Sequence, residues 1–264
     1  MELQKLHYEV VNSIAVVTMD YPKNLNAIDE QMADELMYAV ETAENDSDVK
    51  VVVIKGSPKA FSAGGDIGYF YQLIKAGGKV NMDGLIGKVG KVTDGIKKMS
   101  KMVIASVSGA AAGAGVSLAL TADFVVCAEN AKFIMAFVNL GLVPDTGGTY
   151  LLVKALGEKR AMELCATGRP LPAMEAKELG LVYQVVANEE LDAATMKLAE
   201  KFANGPLISY KNIKKQIYAA GFEDYKHYLD DCEIPTQSEC SASSDFCEGV
   251  KAFMEKRKAV FEGK

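Results

Sequence analysis

The chain has 264 residues, of which 49% are hydrophobic and 24% charged, and this composition excludes a disordered protein and allows a substantial buried core. Its formal net charge of -6 and its pI near 5.2 argue against polyanion binding driven by overall charge, so we expect no nucleic acid partner. The N-terminal MELQKLHYEV lacks the apolar run of a signal peptide, and no apolar stretch approaches the roughly 20 residues of a membrane span, which predicts a cytoplasmic protein without a membrane partner.

Predicted strands and helices alternate through the first part of the chain. Two β-rich runs flank Asn12-Ser13 and predict a hairpin over 9–20, and an amphipathic helix is predicted over 29–44 with Asp29 as its cap. Continuous apolar runs at 49–56, 102–109 and 123–129 are typical of buried, mostly parallel strands. The predicted fold class is therefore α/β.

The later elements are predicted to be helical. Residues 68–98 are rich in glycine with weak helical periodicity, which favours a mobile segment that covers a ligand over a packed element. From about residue 189 onward, helices are predicted at 189–203, 206–219 and 245–261. No linker rich in Pro, Ser or Gly separates them from the α/β body, and we place a core at 1–200 and a helical C-terminal region at 201–264.

Two stretches rich in small residues follow predicted strands. AFSAGGDI (60–67) and SGAAAGAGVSLALTAD (108–123) let backbone N–H groups approach a ligand, and a helix is predicted to begin near Ala114. Neither contains the Lys-Ser/Thr of a phosphate loop or the pattern G-x-G-x-x-G, so nucleotide sites are not favoured. Taken singly, each is explained better by a small-residue helix packed on a sheet.

The stretch GLVPDTGGT (141–149) holds an isolated carboxylate, Asp145, before two glycines. Asp145 is either a turn residue or cap for the helix predicted at TYLLVKAL, or an acid/base in an apolar pocket. Metal chemistry has little support, because the five cysteines form no C-x-x-C pair and the two histidines, His7 and His227, lie far apart. We expect reduced thiols and no metal site.

Several stretches, in their order along the chain, resemble the crotonase, or enoyl-CoA hydratase/isomerase, superfamily. They are NLNAI (24–28), AFSAGGDI (60–67), SVSGAAAGAGVSLAL (106–120), GLVPDTGGTYLL (141–152), ATGRPLPAMEAKELGLVYQVV (166–186) and SSDFCEGVKAFMEKRKAVF (243–261). The resemblance implies a spiral of ββα units and a C-terminal helical trimerisation region, in a homotrimer or a dimer of trimers. It also implies an acyl-CoA substrate, with coenzyme A as part of the substrate and no separate cofactor.

The resemblance also implies roles for individual residues. The N–H groups of Gly65 and Ala114 would hold the thioester oxygen, where two fixed donors stabilise an enolate. Ser117 and Phe137 stand where hydratases of the superfamily carry two glutamates, so simple hydratase activity is doubtful. The adenine end of CoA would lie near four residues: Asn24, Leu25, Ala27 and Ala63.

Asp145 matches the position of the single Asp or Glu of some enoyl-CoA isomerases. The nearest resemblance is to the phenylacetate-pathway isomerase of a ring-epoxide CoA thioester. With this resemblance, Asp145 is predicted to be the single acid/base of an enoyl-CoA isomerase that acts through a dienolate. The alternatives are a hydratase, a thioester hydrolase or a decarboxylase on the same fold, and a non-enzymatic acyl-CoA-binding scaffold.

Overall fold

The structure, a computed structural model, describes residues 2–77 and 80–264. The strands are β1 (Leu6–Val11), β2 (Ile14–Met19), β3 (Val51–Lys55), β4 (Ala60–Ser62), β5 (Met102–Val107), β6 (Ala110–Ala112), β7 (Phe124–Ala128), β8 (Lys132–Ile134), β9 (Pro170–Pro172) and β10 (Gln184–Val186). Within the described residues they form a larger sheet in the order β1-β2-β3-β5-β7-β10 and a smaller sheet in the order β4-β6-β8-β9.

The helices lie between and after these strands. They are α1 (Glu30–Asn45), α2 (Ile67–Lys75), α3 (Asp83–Lys98), α4 (Ala114–Thr121), α5 (Gly148–Leu156), α6 (Glu158–Thr167), α7 (Ala173–Glu178), α8 (Leu191–Ala203), α9 (Leu207–Gly221), α10 (Tyr225–Tyr228), α11 (Ile234–Ser241) and α12 (Ser244–Met254). A π-helical turn, Leu229–Glu233, joins α10 to α11. No helix in the described ranges combines the length and apolar character that crossing a bilayer requires.

The chain alternates between the two sheets. β3, β5 and β7 lie side by side and parallel in the larger sheet, and each is followed by a strand of the smaller sheet: β4, β6 and β8. Helices follow β4 and β6, which gives successive ββα units. The predicted α/β class and spiral of ββα units are confirmed, as are the N-terminal hairpin and the three buried strands.

The larger sheet is covered on both faces, which explains why its strands read as continuous apolar runs. On one face Val51, Val53 and Ile104 pack against Leu198 and Phe202 of α8. The opposite face belongs to the main core, to which α1, α3 and α4 contribute. Asp29 caps α1 as expected, since its side chain accepts a hydrogen bond from the Met32 N–H at 3.0 Å.

The prediction of a mobile segment over 68–98 is wrong for the described residues, which form α2 and the 16-residue helix α3. Glycines dilute the apolar pattern in the sequence, but the helix still buries one continuous stripe. The stripe consists of Leu85, Ile86, Val89, Val92 and Ile96. Of the same segment, Gly78 and Lys79 lie outside the described residues.

The C-terminal region is helical, but its boundaries differ from the prediction. The last helix ends at Met254 instead of continuing to residue 261. After Lys256, which has a left-handed φ of 55°, the chain folds back until the Lys264 carbonyl accepts a hydrogen bond from the Ser244 N–H at 2.8 Å. The segment 225–241 was not predicted to be helical, and it proves to be the part of this region that reaches the candidate site.

Candidate active site

The candidate site lies where three strands of the smaller sheet end. Parallel strands place their carboxyl ends at one edge of a sheet, so the segments after β4, β6 and β8 meet there. These segments contain Gly65, Ala114 and Phe137, all three of which were predicted from the sequence to belong to the site. The pairing of the strands therefore brings together residues that are about 20 to 70 positions apart along the chain.

Two glycines permit the close approach of the first two segments. Gly64 has a φ of 84°, and a Cβ at this position would lie 2.7 Å from the Ala112 carbonyl oxygen. Gly113 has a φ of 50°, and its Cβ would lie 3.8 Å from Gly64 Cα. Both backbone conformations are strained for any other residue. The turns that carry Gly65 and Ala114 are therefore packed directly against each other.

The N–H groups of Gly65 and Ala114 are available as donors. Over residues 2–77 and 80–264, neither N–H donates a hydrogen bond to a protein acceptor, and both residues line the same cavity. Ala114 is the first residue of α4, where N–H groups have no acceptor within the helix. Ala114 is buried and Gly65 half-buried, so both N–H groups can donate to an oxygen that a ligand in the cavity supplies.

The cavity itself is mostly apolar. Its empty volume is about 640 Å³, including the solvent at its mouth. Its walls come from α2, α3, the segment after β8 and the C-terminal helices. The apolar side chains of the wall are Ile28, Ala63, Ile67, Phe70, Met82, Leu85, Ile86, Val89, Ala136, Phe137, Leu140 and Leu142. Such a lining is suited to an apolar ligand.

Asp145 lies in the wall of this cavity with 6% of its surface exposed. Its Oδ2 accepts a hydrogen bond from Gln237 Nε2 at 3.0 Å, and its Oδ1 has no partner in the described part of the chain. The side chain does not cap α5, which begins after Gly147 without a side-chain cap. The helix cap is thus excluded, whereas Asp145 does begin a turn, since its backbone carbonyl accepts a hydrogen bond from the Gly148 N–H at 3.0 Å.

The environment of Asp145 favours the protonated form. Burial raises the pKa of its carboxyl group to about 6, while the hydrogen bond from Gln237 and the nearby Thr146 hydroxyl act in the opposite direction. A carboxyl group with such a pKa can both accept and return a proton near neutral pH. Ser117 Oγ donates to the Asp145 backbone carbonyl at 3.0 Å and so fixes the main chain at this residue.

Replacing Gln237 by Leu should raise the pKa of Asp145 further. The variant removes the hydrogen bond that favours the ionised carboxylate and leaves a side chain of similar size. The carboxyl band in the infrared spectrum of the ligand-free protein measures this pKa, and its midpoint should move to higher pH. Gln216→Leu, at an exposed position of α9, is the control. An unchanged midpoint in Gln237→Leu would contradict the assigned hydrogen bond.

The other predicted site residues fall into two groups. Ala63 lines the cavity, whereas Ser117 is fully buried behind its wall and contacts the main chain of Asp145 instead. The remaining three do not line the cavity but lie beside it: Asn24, Leu25 and Ala27. The Leu25 carbonyl accepts a hydrogen bond from the Ala63 N–H at 3.0 Å. Asn24 Oδ1 accepts one from the Ala27 N–H at 3.1 Å. Their contacts with a substrate stay a prediction.

Gln237 was missed from the sequence, and so was Glu233, which accepts a hydrogen bond from the Gly147 N–H at 2.8 Å. Both belong to the segment LDDCEIPTQSEC, which has no clear apolar periodicity. Their spacing of four residues places them on one face of a helix, which is the one signal that could have linked them. In the described ranges, no cluster of three or more His, Cys, Asp or Glu side chains has the arrangement of a metal site.

Comparison with known proteins extends the similarity over the whole chain. A sequence model of the family described as "Enoyl-CoA hydratase/isomerase" matches residues 9–264. The trans-2-decenoyl-[acyl-carrier-protein] isomerase of Streptococcus mutans is 34% identical over 264 residues, and the 1,2-epoxyphenylacetyl-CoA isomerase of Escherichia coli K12 is 34% identical over 265 residues; each match covers 100% of both chains. The crystal structure of an enoyl-CoA hydratase from Mycobacterium avium subsp. paratuberculosis K-10 superposes with a TM-score of 0.89 at 32% identity, covering 99% of this chain and 100% of that one.

Proposed function

The chain belongs to the enoyl-CoA hydratase/isomerase family, the crotonase superfamily, and we propose that it is an isomerase that moves a double bond in an acyl-CoA thioester. One observation carries the choice of isomerase. Of the described residues that line the cavity, Asp145 alone has a carboxyl group. A double-bond shift needs one acid/base, whereas the hydratases of the superfamily position water between two glutamates.

In the proposed reaction, the Asp145 carboxylate removes a proton from C2 or C4 of the enoyl chain. The electron pair of the C–H bond moves into a dienolate, whose negative charge lies largely on the thioester oxygen. The N–H groups of Gly65 and Ala114 donate to this oxygen. The protonated Asp145 then returns its proton to the other carbon, so that the double bond has moved and the enzyme is unchanged.

The apolar wall supports the same reaction. Leu142 and Phe137 line the same cavity as Asp145, and such apolar surface excludes water that would compete for the proton. Burial also raises the pKa of Asp145, which brings it closer to the pKa of the C–H group from which the proton is removed. Phe137 stands where a water-holding glutamate would be needed for hydration, and this position therefore favours isomerisation.

The experiment offers a β,γ-unsaturated acyl group on CoA and follows the absorbance of the conjugated thioester. Appearance of the α,β-unsaturated product, without a 3-hydroxyacyl product, is expected. Formation of the 3-hydroxyacyl thioester as the main product would overturn the proposal in favour of a hydratase. The same acyl group on acyl carrier protein is a second arm, because one similar isomerase is named for that carrier, and faster turnover on CoA is expected.

The role of residues 201–264 in a homotrimer or a dimer of trimers is also a proposal. Its support is a set of apolar side chains on α9 that the single chain leaves exposed: Ile208, Ile213 and Ile217. Light scattering coupled to size-exclusion chromatography gives the oligomeric state, and a monomer would contradict this role.

A further inference from the structure

A second buried carboxyl group lies behind the turn that carries Asp145. Glu233 is 2% exposed, its Oε2 accepts a hydrogen bond from the Gly147 N–H at 2.8 Å, and its Oε1 has no partner. Two neighbouring atoms, Asp145 Oδ1 and Thr146 Oγ1, likewise have no hydrogen bond of normal geometry. Of the five buried side-chain oxygens without a partner in the described ranges, three therefore lie around this one turn.

The turn itself is strained and is held from outside. Thr146 has a φ of 54°, a left-handed conformation that is costly for a β-branched residue, and such strain persists only where the surroundings impose it. Three side chains form hydrogen bonds to the turn. Ser117 bonds to the Asp145 carbonyl, and Gln237 bonds to the Val143 N–H and the Asp145 side chain. Glu233 accepts from the Gly147 N–H.

Two of these side chains come from one helical face of the C-terminal segment. Glu233 ends the π-helical turn, and Gln237 follows four residues later in α11. The Gln237 Oε1 accepts from the Val143 N–H at 3.1 Å while its Nε2 donates to Asp145. A π-helical turn is uncommon and is frequently found at functional sites. Here it places the Glu233 carboxyl group within hydrogen-bonding distance of the Gly147 N–H.

Glu233 does not line the substrate cavity. It lines a smaller neighbouring cavity of about 240 Å³, including solvent at its mouth, and Thr146 lines both cavities. Any effect of Glu233 on the reaction must therefore pass through the turn and through Asp145. We propose that Glu233 is a positioning residue: its carboxyl group fixes, through the Gly147 N–H, the turn that aims Asp145 into the cavity, and its own ionisation sets the upper pH limit of the reaction.

The pH at which Glu233 ionises depends on its burial and on the charges around it, above all that of Asp145. Burial raises the pKa of Glu233 to about 8, the charge of Asp145 raises it as well, and the Gly147 N–H lowers it. Between about pH 6 and pH 8, Asp145 and Glu233 together therefore carry one negative charge, on Asp145.

The other titratable groups around Glu233 are Lys91 on α3, and Tyr225, Lys226, Tyr228 and Asp230 beside it along the chain. Of these, Lys226 is paired with Asp230.

Above pH 8 an ionised Glu233 adds a second negative charge behind Asp145. The proposed dienolate also carries negative charge, so this second charge raises the energy of the transition state. Between pH 7 and pH 9, kcat/KM of the wild type should fall about tenfold as one group titrates. This inference rests on the proposed isomerase function.

Three variants test the inference. Glu233→Gln keeps an acceptor for the Gly147 N–H but cannot ionise, so its kcat/KM should stay level from pH 7 to pH 9. Glu233→Leu removes both the acceptor and the ionisable group, so its kcat should lie about tenfold below the wild type at pH 7, the equivalent of one buried hydrogen bond, and stay level to pH 9, with a smaller change in KM. Glu239→Gln, the same change at an exposed position of α11 outside both cavities, should behave as the wild type. A falling limb that survives in Glu233→Gln would overturn the proposal.

A measurement without substrate separates this proposal from the proposed function. Infrared titration of carboxyl groups in the ligand-free protein should show one group with a midpoint near pH 8 that is absent in Glu233→Gln. In Asp145→Asn the same midpoint should move to lower pH, because the neighbouring charge is gone. If Glu233 is ionised at pH 7, or its midpoint ignores Asp145, the pairing is wrong even where isomerase activity is present. If no variant isomerises any thioester while the coupled titration is seen, the reaction is wrong and the pairing stands.

Discussion

Replacing Asp145 by Asn should lower kcat about 10²- to 10⁴-fold, the usual contribution of a positioned acid/base. An amide of the same shape can neither remove a proton from carbon nor return one. Binding of the acyl thioester should change little, because the cavity wall and the two N–H donors remain. The assay is the conversion of a β,γ-unsaturated acyl-CoA, together with the dissociation constant of a saturated acyl-CoA.

The same variant should be more stable than the wild type above pH 6. Asp145 has a pKa of about 6 in the folded protein against 3.8 for an unperturbed Asp. Between these two pH values the folded state binds more protons than the unfolded state, so the wild type loses stability as the pH rises from 3.8 to about 6. At about 1.4 kcal/mol for each pKa unit, the raised pKa of Asp145 lowers the free energy of unfolding above pH 6 by on the order of 3 kcal/mol. Thermal unfolding at pH 4 and pH 8 measures it, and the gain of Asp145→Asn should be present at pH 8 and nearly absent at pH 4.

Asp48→Asn, at an exposed position, is the control for both measurements. Unchanged turnover in Asp145→Asn would remove Asp145 from the mechanism and would favour a non-catalytic acyl-CoA-binding protein. Loss of both thioester binding and stability would mean that Asp145 supports the fold instead of the reaction. A gain in stability together with a loss of turnover is the combination expected of a residue kept for chemistry.

Replacing Ala114 by Pro should lower kcat/KM by at least about 10²-fold, since one donor of an oxyanion hole is typically worth about 10² to 10³. Proline lacks the N–H that Ala114 donates to the thioester oxygen in the proposed reaction. The first residue of a helix tolerates proline, because its N–H has no acceptor within the helix. Ala114 is the first residue of α4, so the fold should survive.

Two controls separate the missing N–H from a damaged helix. Ala114→Gly keeps the N–H and removes only the methyl group, so it should retain most of the activity. Glu158→Pro places proline at the first residue of α6, outside the cavity wall, and should leave kcat/KM unchanged. If Ala114→Pro folds with the melting temperature of the wild type and keeps its full kcat/KM, the thioester oxygen is not held by this N–H.

The small residues form a clear local pattern, but only the resemblance to the superfamily turned that pattern into a predicted pair of N–H donors. Small residues after a buried strand, at Gly65 and again at Ala114, place backbone donors at a strand end, and parallel pairing then brings the two ends together. The buried face of α3 was missed for the opposite reason. Its glycines lower the apparent helical periodicity of the sequence, although Leu85 and Val89 still face inward.

The surroundings of Asp145 could not be read from its own stretch. Gln237 is 92 residues further along, and its amide tells nothing about its partner until tertiary packing brings it to the carboxylate. The same holds for Glu233, whose burial depends on how α10, the π-helical turn and α11 pack together. The sequence thus predicts Asp145 as the acid only through a resemblance, whereas the protonation equilibrium of Asp145 is a property of the packed structure.

Two of the three side chains that hold the Asp145 turn, Glu233 and Gln237, lie far from it along the chain, which has a consequence for protein synthesis. On the ribosome, Ser117 is present as soon as the turn emerges, but Glu233 and Gln237 follow about 90 residues later, so the strained conformation at Thr146 has only part of its support at that stage. The nascent chain can complete its sheets early but should be inert toward thioesters until translation has delivered α11. Activity would then begin only after α11 has emerged and packed against this turn.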